Sequence, residues 1–322
     1  MTFHPDNLPD LSGRVYIITG GTGQGIGFYA GLQLAQHGAH VYLCSRSDKK
    51  GQEAVEAIQQ QCPGARASYL IMDHMALASV MAAAKDFLSK EAVLHGLVNN
   101  AGIMTTPFDV TRDGYEAQWQ TNYLAHWVFT FQLLPTMLMT SQGMPPGSVR
   151  IVNLSSGAHI AAPRVGINLA DTTLHDESTI TRYGQSKLAN ILHTKTLHKM
   201  YGPGSYHALA GNGEIWCTAV NPGGVKTGLT GKATEMPLAM RVGMPIVDAL
   251  GGRWPADKGA WTSVFCVASP ELKQEECGGY FERIAQLGKE SCKGKDAELA
   301  EKLEEWTLKE VKERGFYGYE WM

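Results

Sequence analysis

The sequence of 322 residues lacks the features that mark several classes of protein. Lys and Arg number 28 against 31 Asp and Glu, so the net charge of −3 includes no basic excess for a phosphate backbone, and we expect no nucleic-acid partner. No run reaches the roughly 18 apolar residues that a membrane-spanning helix needs. The first residues also lack the positive start and apolar run of a secretion signal. We therefore expect no membrane span and a cytoplasmic location.

Cysteine is sparse, whereas glycine is abundant. The six cysteines include no C-x-x-C pair and no close Cys/His cluster, which predicts free thiols in a reducing compartment and no metal site. The 36 glycines indicate tight turns and close approaches of the backbone, often to a bound ligand.

Short apolar segments alternate with longer amphipathic segments along most of the chain, which is typical of a parallel sheet covered by helices on both faces. The pattern predicts a single Rossmann-type, doubly wound α/β sheet of about seven strands, at 15–19, 39–45, 67–73, 95–100, 148–155, 214–221 and 277–282. It also predicts a long helix at 114–140, bent near Pro135, and a helix at 183–200.

The predicted domain organisation is an N-terminal extension (1–13), a dinucleotide-binding catalytic domain (14–290) and a C-terminal helical extension (291–322). Segment 227–254 is rich in Met, Pro, Leu and Gly, which suits an apolar flap over a substrate site, with a packed pair of helices as the alternative. In the C-terminal extension, one helix face carries apolar side chains and predicts docking on the body: Leu299, Leu303, Trp306 and Val311.

A glycine-rich loop, TGGTGQGIG at 19–27, lies between the first predicted strand and helix, where backbone amides and the helix dipole can hold a pyrophosphate. It resembles the TGxxxGxG pattern of the short-chain dehydrogenase/reductase family. Two alignments are open. If Thr19-Gly20 matches the TG of the pattern, the loop is one residue too long; if Gly21 matches its first glycine, Gly20 stands in place of the threonine. The resemblance implies these cofactor-binding residues: Gly20, Gly21, Thr22, Gly25, Ile26 and Gly27.

The end of the second strand carries no acidic residue that could bind the ribose hydroxyls of NAD. Ser45 and Arg46 stand there instead, and an arginine can bind a 2′-phosphate through two hydrogen bonds, so NADP(H) is favoured over NAD(H). A merely solvent-exposed arginine is the alternative. Asp73 resembles the adenine-contacting aspartate of the family, although it could equally cap the next helix.

Tyr183 and Lys187 lie four residues apart and so share one face of a helix. A neighbouring cation favours the phenolate and lowers the tyrosine pKa, which makes proton exchange with a carbonyl or alcohol feasible near neutrality. A surface tyrosine and lysine would be the alternative. The pair follows Ser155-Ser156 at the end of strand five and precedes Asn221-Pro222-Gly223 at the end of strand six, an order that also resembles the family.

The resemblance implies a role for each matching residue. Ser156 polarises the substrate oxygen, with Ser155 as the alternative, and Tyr183 is the general acid in reduction. Lys187 lowers the tyrosine pKa and holds the nicotinamide ribose, and Asn122 anchors a proton-relay water. The resemblance also counts Tyr183 and Lys187 among the cofactor-binding residues. The cofactor cleft is lined by the NNAG and PGxVxT motifs, represented by Asn100, Ala101, Gly102, Pro222, Gly223, Val225 and Thr227. The sequence of strand five at 150–156 with His159, and that of the active helix at 186–190, resemble the retinol-dehydrogenase-like branch of the family. Some members of that branch have an amino-terminal membrane anchor, which we do not expect here.

These observations predict an NADP(H)-dependent reductase or dehydrogenase that moves hydride between nicotinamide and a ketone or secondary alcohol. A fairly large apolar or aromatic substrate, suited to secondary metabolism, is expected from the composition of the flap, including Met236, Leu238, Met240, Met244 and Trp254. The alternatives are a non-catalytic NADP(H)-sensing regulator and a dehydratase, isomerase or cyclase built on the same site. A homo-oligomer is possible.

Overall fold

A computed structural model describes residues 3–228 and 252–317. They form a sheet of eight strands, consisting of β1 (Val15–Ile18), β2 (His40–Ser45), β3 (Ala67–Ile71), β4 (Gly96–Asn99), β5 (Arg150–Leu154), β6 (Trp216–Val220), β7 (Tyr280–Glu282) and β8 (Gln286–Leu287). Most of the predicted flap, 227–254, lies outside the described residues.

The strands are arranged in the order β3-β2-β1-β4-β5-β6-β7-β8, and every neighbouring pair is parallel except β7 and β8. The doubly wound α/β prediction is confirmed. The eighth strand is an addition of two residues, too short to produce an alternating pattern in the sequence. Because β1 lies between β2 and β4, the chain reverses direction across the sheet there, and ligands of such folds bind beyond the carboxyl ends of these strands.

Helices cover both faces of the sheet. They are α1 (Ile26–Gln36), α2 (Asp48–Gln61), α3 (Leu77–Leu88), α4 (Ala117–Trp119), α5 (Ala125–Gln142), α6 (Thr179–Tyr201), α7 (Tyr206–Leu209), α8 (Ala256–Gly259), α9 (Trp261–Ala268) and α10 (Ala297–Glu313). No helix within the described ranges is long and apolar enough to cross a membrane.

Two helices differ from their predicted bounds. The long helix begins at Ala117 rather than at 114, and a π-helical turn, Gln120–Leu124, separates α4 from α5. Helix α6 begins at Thr179, four residues before Tyr183, because the Ser178 hydroxyl accepts a hydrogen bond from the Thr181 N–H and caps it. The candidate tyrosine therefore lies inside a formed helix rather than at its frayed first turn.

Helix α10 packs against α6, with Leu299, Leu303 and Val311 buried. Polar contacts join it to the rest of the fold: Trp127 Nε1 donates to Glu304 Oε2 at 3.0 Å, and the Tyr115 hydroxyl donates to a Glu310 carboxylate oxygen at 3.0 Å. The predicted apolar face of this helix is thus part of the core.

Candidate active site

The glycine-rich loop follows β1 and leads into the N-terminus of α1. Gly20 has a φ of +63°, and a Cβ there would lie 2.9 Å from Ala101 Cα. A Cβ on Gly27 would lie 2.7 Å from Gly20 O, so glycine is required at both positions by the close approach of the backbone. Gly25 caps α1 without a side-chain hydrogen bond and faces open space. The first N–H groups of α1 are therefore available to an anion, and this end of the loop fits a dinucleotide pyrophosphate.

The Thr19 side chain shows how the loop fits the motif. Its Oγ1 accepts hydrogen bonds from Asn100 N at 2.8 Å and Ala101 N at 2.9 Å, which ties β1 to the end of β4. The Asn100 amide donates back to Thr19 O at 2.7 Å. Thr19 and Gly20 thus match the TG that begins the motif, and Gly25 and Gly27 match the GxG that ends it. The extra residue of this loop lies between the two.

The ends of β2 and β3 carry the predicted determinants of cofactor choice. Ser45 is buried, and its hydroxyl donates to Ser47 O at 2.8 Å. Arg46 is exposed and makes no hydrogen bond or ion pair within the described part of the chain. Of the two predicted phosphate ligands, Arg46 is the accessible one. The Asp73 carboxylate accepts from Met75 N at 3.0 Å, as expected of a residue that starts a turn before α3.

Tyr183 and Lys187 lie together inside the fold. Both are almost fully buried, at 5% and 4% exposure, and the Lys187 ammonium lies over the tyrosine ring, 5.7 Å from its centre. Lys187 Nζ donates to Leu154 O at 3.0 Å, so the end of β5 fixes its position. The backbone of α6 is held close to the turn Gly157–Ala161, because a Cβ on Gly184 would lie 2.8 Å from Ala158 O.

The two candidate serines have different partners. Ser155 is buried, and its hydroxyl donates to Lys187 O at 2.8 Å. The Ser156 hydroxyl instead accepts a hydrogen bond from Ala158 N at 3.1 Å, and Ser156 acts to lower the pKa of Tyr183. His159 fixes the backbone here, since its Nδ1 lies 2.7 Å from Ser156 O. The Ser155 hydroxyl is thus committed to a backbone carbonyl, whereas Ser156 is the serine that affects the tyrosine hydroxyl.

The ionisation of the pair differs from the sequence-based expectation. Burial raises the pKa of Tyr183 to about 12, and the hydrogen bond with Ser156 is the influence that lowers it. Burial also lowers the pKa of Lys187 to about 8. The expected lowering of the tyrosine pKa by the lysine is not found, because the ammonium lies over the ring and bonds a carbonyl. Tyr183 is therefore a protonated phenol at neutral pH.

Asn122 lies in the π-helical turn and joins this cluster to the NNAG segment. Its Oδ1 accepts from Ile103 N at 2.8 Å, and its Nδ2 donates to Ser186 Oγ at 2.9 Å. A Cβ on Gly102 would lie 3.0 Å from Asn122 Oδ1 and 3.5 Å from Lys187 Nζ, so glycine leaves room for both polar groups. The structure thus brings the four predicted catalytic residues and the NNAG motif to one place.

The segment after β6 borders the same cleft. Asn221 Oδ1 accepts from Gly223 N at 3.0 Å, and its Nδ2 would lie 3.5 Å from a Cβ on Gly157. Gly223 has a φ of +74°, and a Cβ there would lie 2.7 Å from Arg283 Cδ. The predicted residue Pro222 lies within this turn. Val225 and Thr227 follow it, and Val225 pairs with Trp254.

The matches to known proteins agree with this geometry. The model of a family described as short chain dehydrogenase matches residues 14–238. The chain belongs to the short-chain dehydrogenase/reductase family. A relative from Aspergillus calidoustus, short-chain dehydrogenase/reductase drtF, is 47% identical over 313 residues, covering 96% of this chain and 97% of the relative. Human polyprenol dehydrogenase is 33% identical over 274 residues, covering 85% of this chain and 78% of the relative, and supports the retinol-dehydrogenase-like branch.

Solved structures with a short-chain dehydrogenase/reductase fold are also similar to this chain. One described as a putative uncharacterized protein from Mycobacterium Paratuberculosis has a TM-score of 0.71 at 26% identity and covers 97% of this chain and 98% of its own. The Pseudomonas aeruginosa RhlG/NADP active-site complex has a TM-score of 0.62 at 22% identity and covers 88% and 98%. This short-chain dehydrogenase/reductase is an NAD(P)-dependent oxidoreductase that acts on CH–OH or C=O groups, as the sequence predicted.

Three residues of the site network received no role from the sequence: Thr19, His126 and Ser186. The hydroxyl of Ser186 accepts from Asn122 and donates to Tyr183 O at 2.7 Å. His126 is a buried histidine in a mainly apolar helix, one turn after Asn122. In the sequence, the signal that could have singled it out was a histidine among mainly apolar residues, four positions after Asn122.

Proposed function

We propose that the protein is an NADP(H)-dependent reductase that converts a ketone of a fairly large, apolar molecule to a secondary alcohol. The observation that carries the proposal is the buried Tyr183 on α6, with the Lys187 ammonium over its ring and the Ser156 side chain close enough to affect the pKa of its hydroxyl. A phenol that keeps its proton at neutral pH can donate it to a carbonyl oxygen, which is the step that reduction requires. The reverse reaction would need the phenolate.

The chain's own residues supply binding, orientation and a proton. The open N-terminus of α1 would hold the pyrophosphate, Arg46 the 2′-phosphate, and Lys187 the ribose hydroxyls beside the nicotinamide. When bound, a reduced nicotinamide supplies a hydride. Ser156 orients the carbonyl through its hydroxyl, and Tyr183 gives up its hydroxyl proton to the same oxygen.

The substrate class rests on the surroundings of the catalytic serine and on one relative. Ile160 and Val165 follow Ser156 in the chain and are 74% and 60% exposed, so the segment after the serine presents apolar surface. The human relative is named polyprenol dehydrogenase, a name that supports an apolar alcohol or ketone. The flap residues Met236, Leu238, Met240 and Met244 lie outside the described residues. Fungal relatives with names such as drtF favour a role in secondary metabolism.

Replacing Tyr183 by Phe tests this proposal. Consumption of NADPH with a panel of apolar ketones should fall by a factor of about 10² to 10⁴, because the proton donor is lost. The affinity for NADPH should stay within about twofold, since the groups assigned to the pyrophosphate, the 2′-phosphate and the ribose hydroxyls are all retained. Tyr206→Phe is the matched control, because that hydroxyl is on a side chain 79% exposed and outside the site.

Three outcomes separate the alternatives. Undiminished turnover in Tyr183→Phe would remove the tyrosine from the mechanism. Binding of NADPH by the wild type without its consumption across the panel would favour the sensing protein. Conversion of a substrate with no net change in NADPH would favour a dehydratase, isomerase or cyclase.

A further inference from the structure

His126 occupies a position between the nucleotide-binding segment and the catalytic residues. Its side chain is 2% exposed, and both ring nitrogens have a partner: Nε2 lies 2.8 Å from Thr19 Oγ1, and Nδ1 lies 3.0 Å from Asn122 O. The contact with Asn122 spans one turn of the same helix, whereas the contact with Thr19 spans 107 residues. One ring thus joins the end of β1 to the π-helical turn.

The partners of Thr19 determine which nitrogen carries the proton. Thr19 Oγ1 already accepts from Asn100 N and Ala101 N, so its own hydrogen must be donated. The acceptors within reach are His126 Nε2 at 2.8 Å and Val98 O at 3.4 Å, and the shorter contact is the better hydrogen bond. If Nε2 accepts, the neutral ring carries its hydrogen on Nδ1 and donates it to Asn122 O.

The charge state agrees with this assignment. Burial holds the pKa of His126 well below its usual range, and the neighbouring His74 and Lys187 act in the same direction. The neutral ring is therefore the state present at physiological pH. A neutral imidazole has one donor and one acceptor, and both are used here.

We propose that His126 is a positioning residue, held as its Nδ1–H tautomer, that locks the nucleotide-binding segment at Thr19 to Asn122 and thereby to the helix of Tyr183. The link continues because Asn122 Nδ2 donates to Ser186 Oγ, which donates to Tyr183 O. The cofactor loop and the proton donor are thus held in register by one chain of hydrogen bonds. The inference rests on the proposed reductase function, and it adds a residue that touches neither cofactor nor substrate.

Three substitutions of His126 test its hydrogen bond to Thr19 separately from its hydrogen bond to Asn122. His126→Phe keeps an aromatic ring but removes both hydrogen bonds, so kcat/KM for NADPH should fall about ten- to thirtyfold, as expected for two lost bonds of about 1 kcal/mol each. His126→Asn keeps a donor near Nδ1 and should restore kcat. His126→Gln keeps an acceptor near Nε2 and should restore the affinity for NADPH. A merely structural role would predict no such split between kcat and affinity.

His193 provides a matched control. It is another buried histidine, on α6, and within the described residues its ring nitrogens make no hydrogen bond, although Nδ1 lies 3.6 Å from Glu304 Oε2 on α10. His193→Phe should leave kcat and NADPH affinity at wild-type values. Titration of NADPH by the quenching of protein fluorescence measures affinity without turnover, so it remains informative if no ketone in the panel is consumed.

The tautomer is tested independently of activity by nitrogen NMR of protein labelled at its histidine rings. The resonances lost in His126→Asn identify the ring, and we expect an Nδ1–H neutral imidazole that does not titrate between about pH 5 and 8. Thr19→Val should change this signal and Thr19→Ser should restore it. An Nε2–H ring, or a His126→Phe protein with unchanged NADPH affinity and turnover, would overturn the proposal. A wild type with the expected ring but no turnover would refute only the reductase function.

Discussion

Lys187 carries a charge on a side chain that is almost fully buried, and its replacement by Met should stabilise the protein while abolishing activity. The folded state lowers the pKa of Lys187 from 10.5 to about 8. At about 1.4 kcal/mol per pH unit, this shift disfavours the folded protein by about 3 kcal/mol at pH 7. Methionine has no charge to bury and nearly the same length. It loses the hydrogen bond to Leu154 O, worth about 1 kcal/mol, but that carbonyl keeps its bond from Asn190 Nδ2 at 2.8 Å.

The net expectation is that Lys187→Met is about 2 kcal/mol more stable than the wild type at pH 7. Because the folded pKa lies below the unfolded one, the unfolded state binds more protons between about pH 8 and 10.5, so the lysine becomes less unfavourable as the pH rises through that window. The advantage of the variant should therefore shrink by about 1 kcal/mol between pH 7 and pH 9.

Urea denaturation of the cofactor-free proteins, followed by tryptophan fluorescence, measures both quantities. The difference between the two proteins at each pH cancels the titration of the buried cysteines and tyrosines they share. Lys199→Met is the control, because that lysine lies on the same helix with a side chain 71% exposed, and its change should stay within about 0.5 kcal/mol at both pH values. A variant less stable than the wild type at pH 7, or an advantage that is the same at pH 9, would refute the reasoning.

Ser156→Ala should reduce kcat about a hundredfold because it removes a hydroxyl bonded to the proton donor, whereas Ser155→Ala should leave kcat within about threefold and cost about 1 kcal/mol of stability. A larger loss of kcat in Ser155→Ala than in Ser156→Ala would reverse the assignment of the two serines, and equal losses would refute the distinction between them. Arg46→Ala should raise KM for NADPH at least about tenfold and leave NADH within about twofold, with the exposed Lys49→Ala as control. The same loss for both cofactors would exclude a phosphate contact. Trp127→Phe removes the indole donor to helix α10 and should lower the free energy of unfolding by about 1 to 2 kcal/mol without changing kcat, as measured by denaturation and steady-state rates.

The local pattern of residues in the sequence was sufficient to predict much of the fold. The alternation of apolar and amphipathic segments predicted the parallel sheet, because strands buried on both faces and helices buried on one differ in period. The order of the glycine loop, the Ser155-Ser156 pair, Tyr183 and Lys187 was enough to place the chain in its family. Spacing along a helix also predicted the buried face of α10, since Leu299, Leu303 and Val311 recur at one to two turns.

The chemistry inside the site depended on contacts between segments distant in the sequence. Adjacent serines have the same local pattern, and only the packing of α6 against β5 commits Ser155 to a backbone carbonyl and leaves Ser156 for Tyr183. The tyrosine pKa was predicted with the wrong sign, because two residues one turn apart do not reveal how deeply both are buried or what else the lysine binds.

The sequence by itself determined the α/β architecture, the family and the residues able to carry out proton and hydride chemistry, because these follow from side-chain periodicity and motif order. Tertiary structure alone decided the π-helical turn at Asn122, the raised pKa of Tyr183 and the link from Thr19 through His126. The physical reason is that hydrogen-bond partners and burial depend on which distant strands and helices pack together, and this packing cannot be inferred from the local pattern of the sequence.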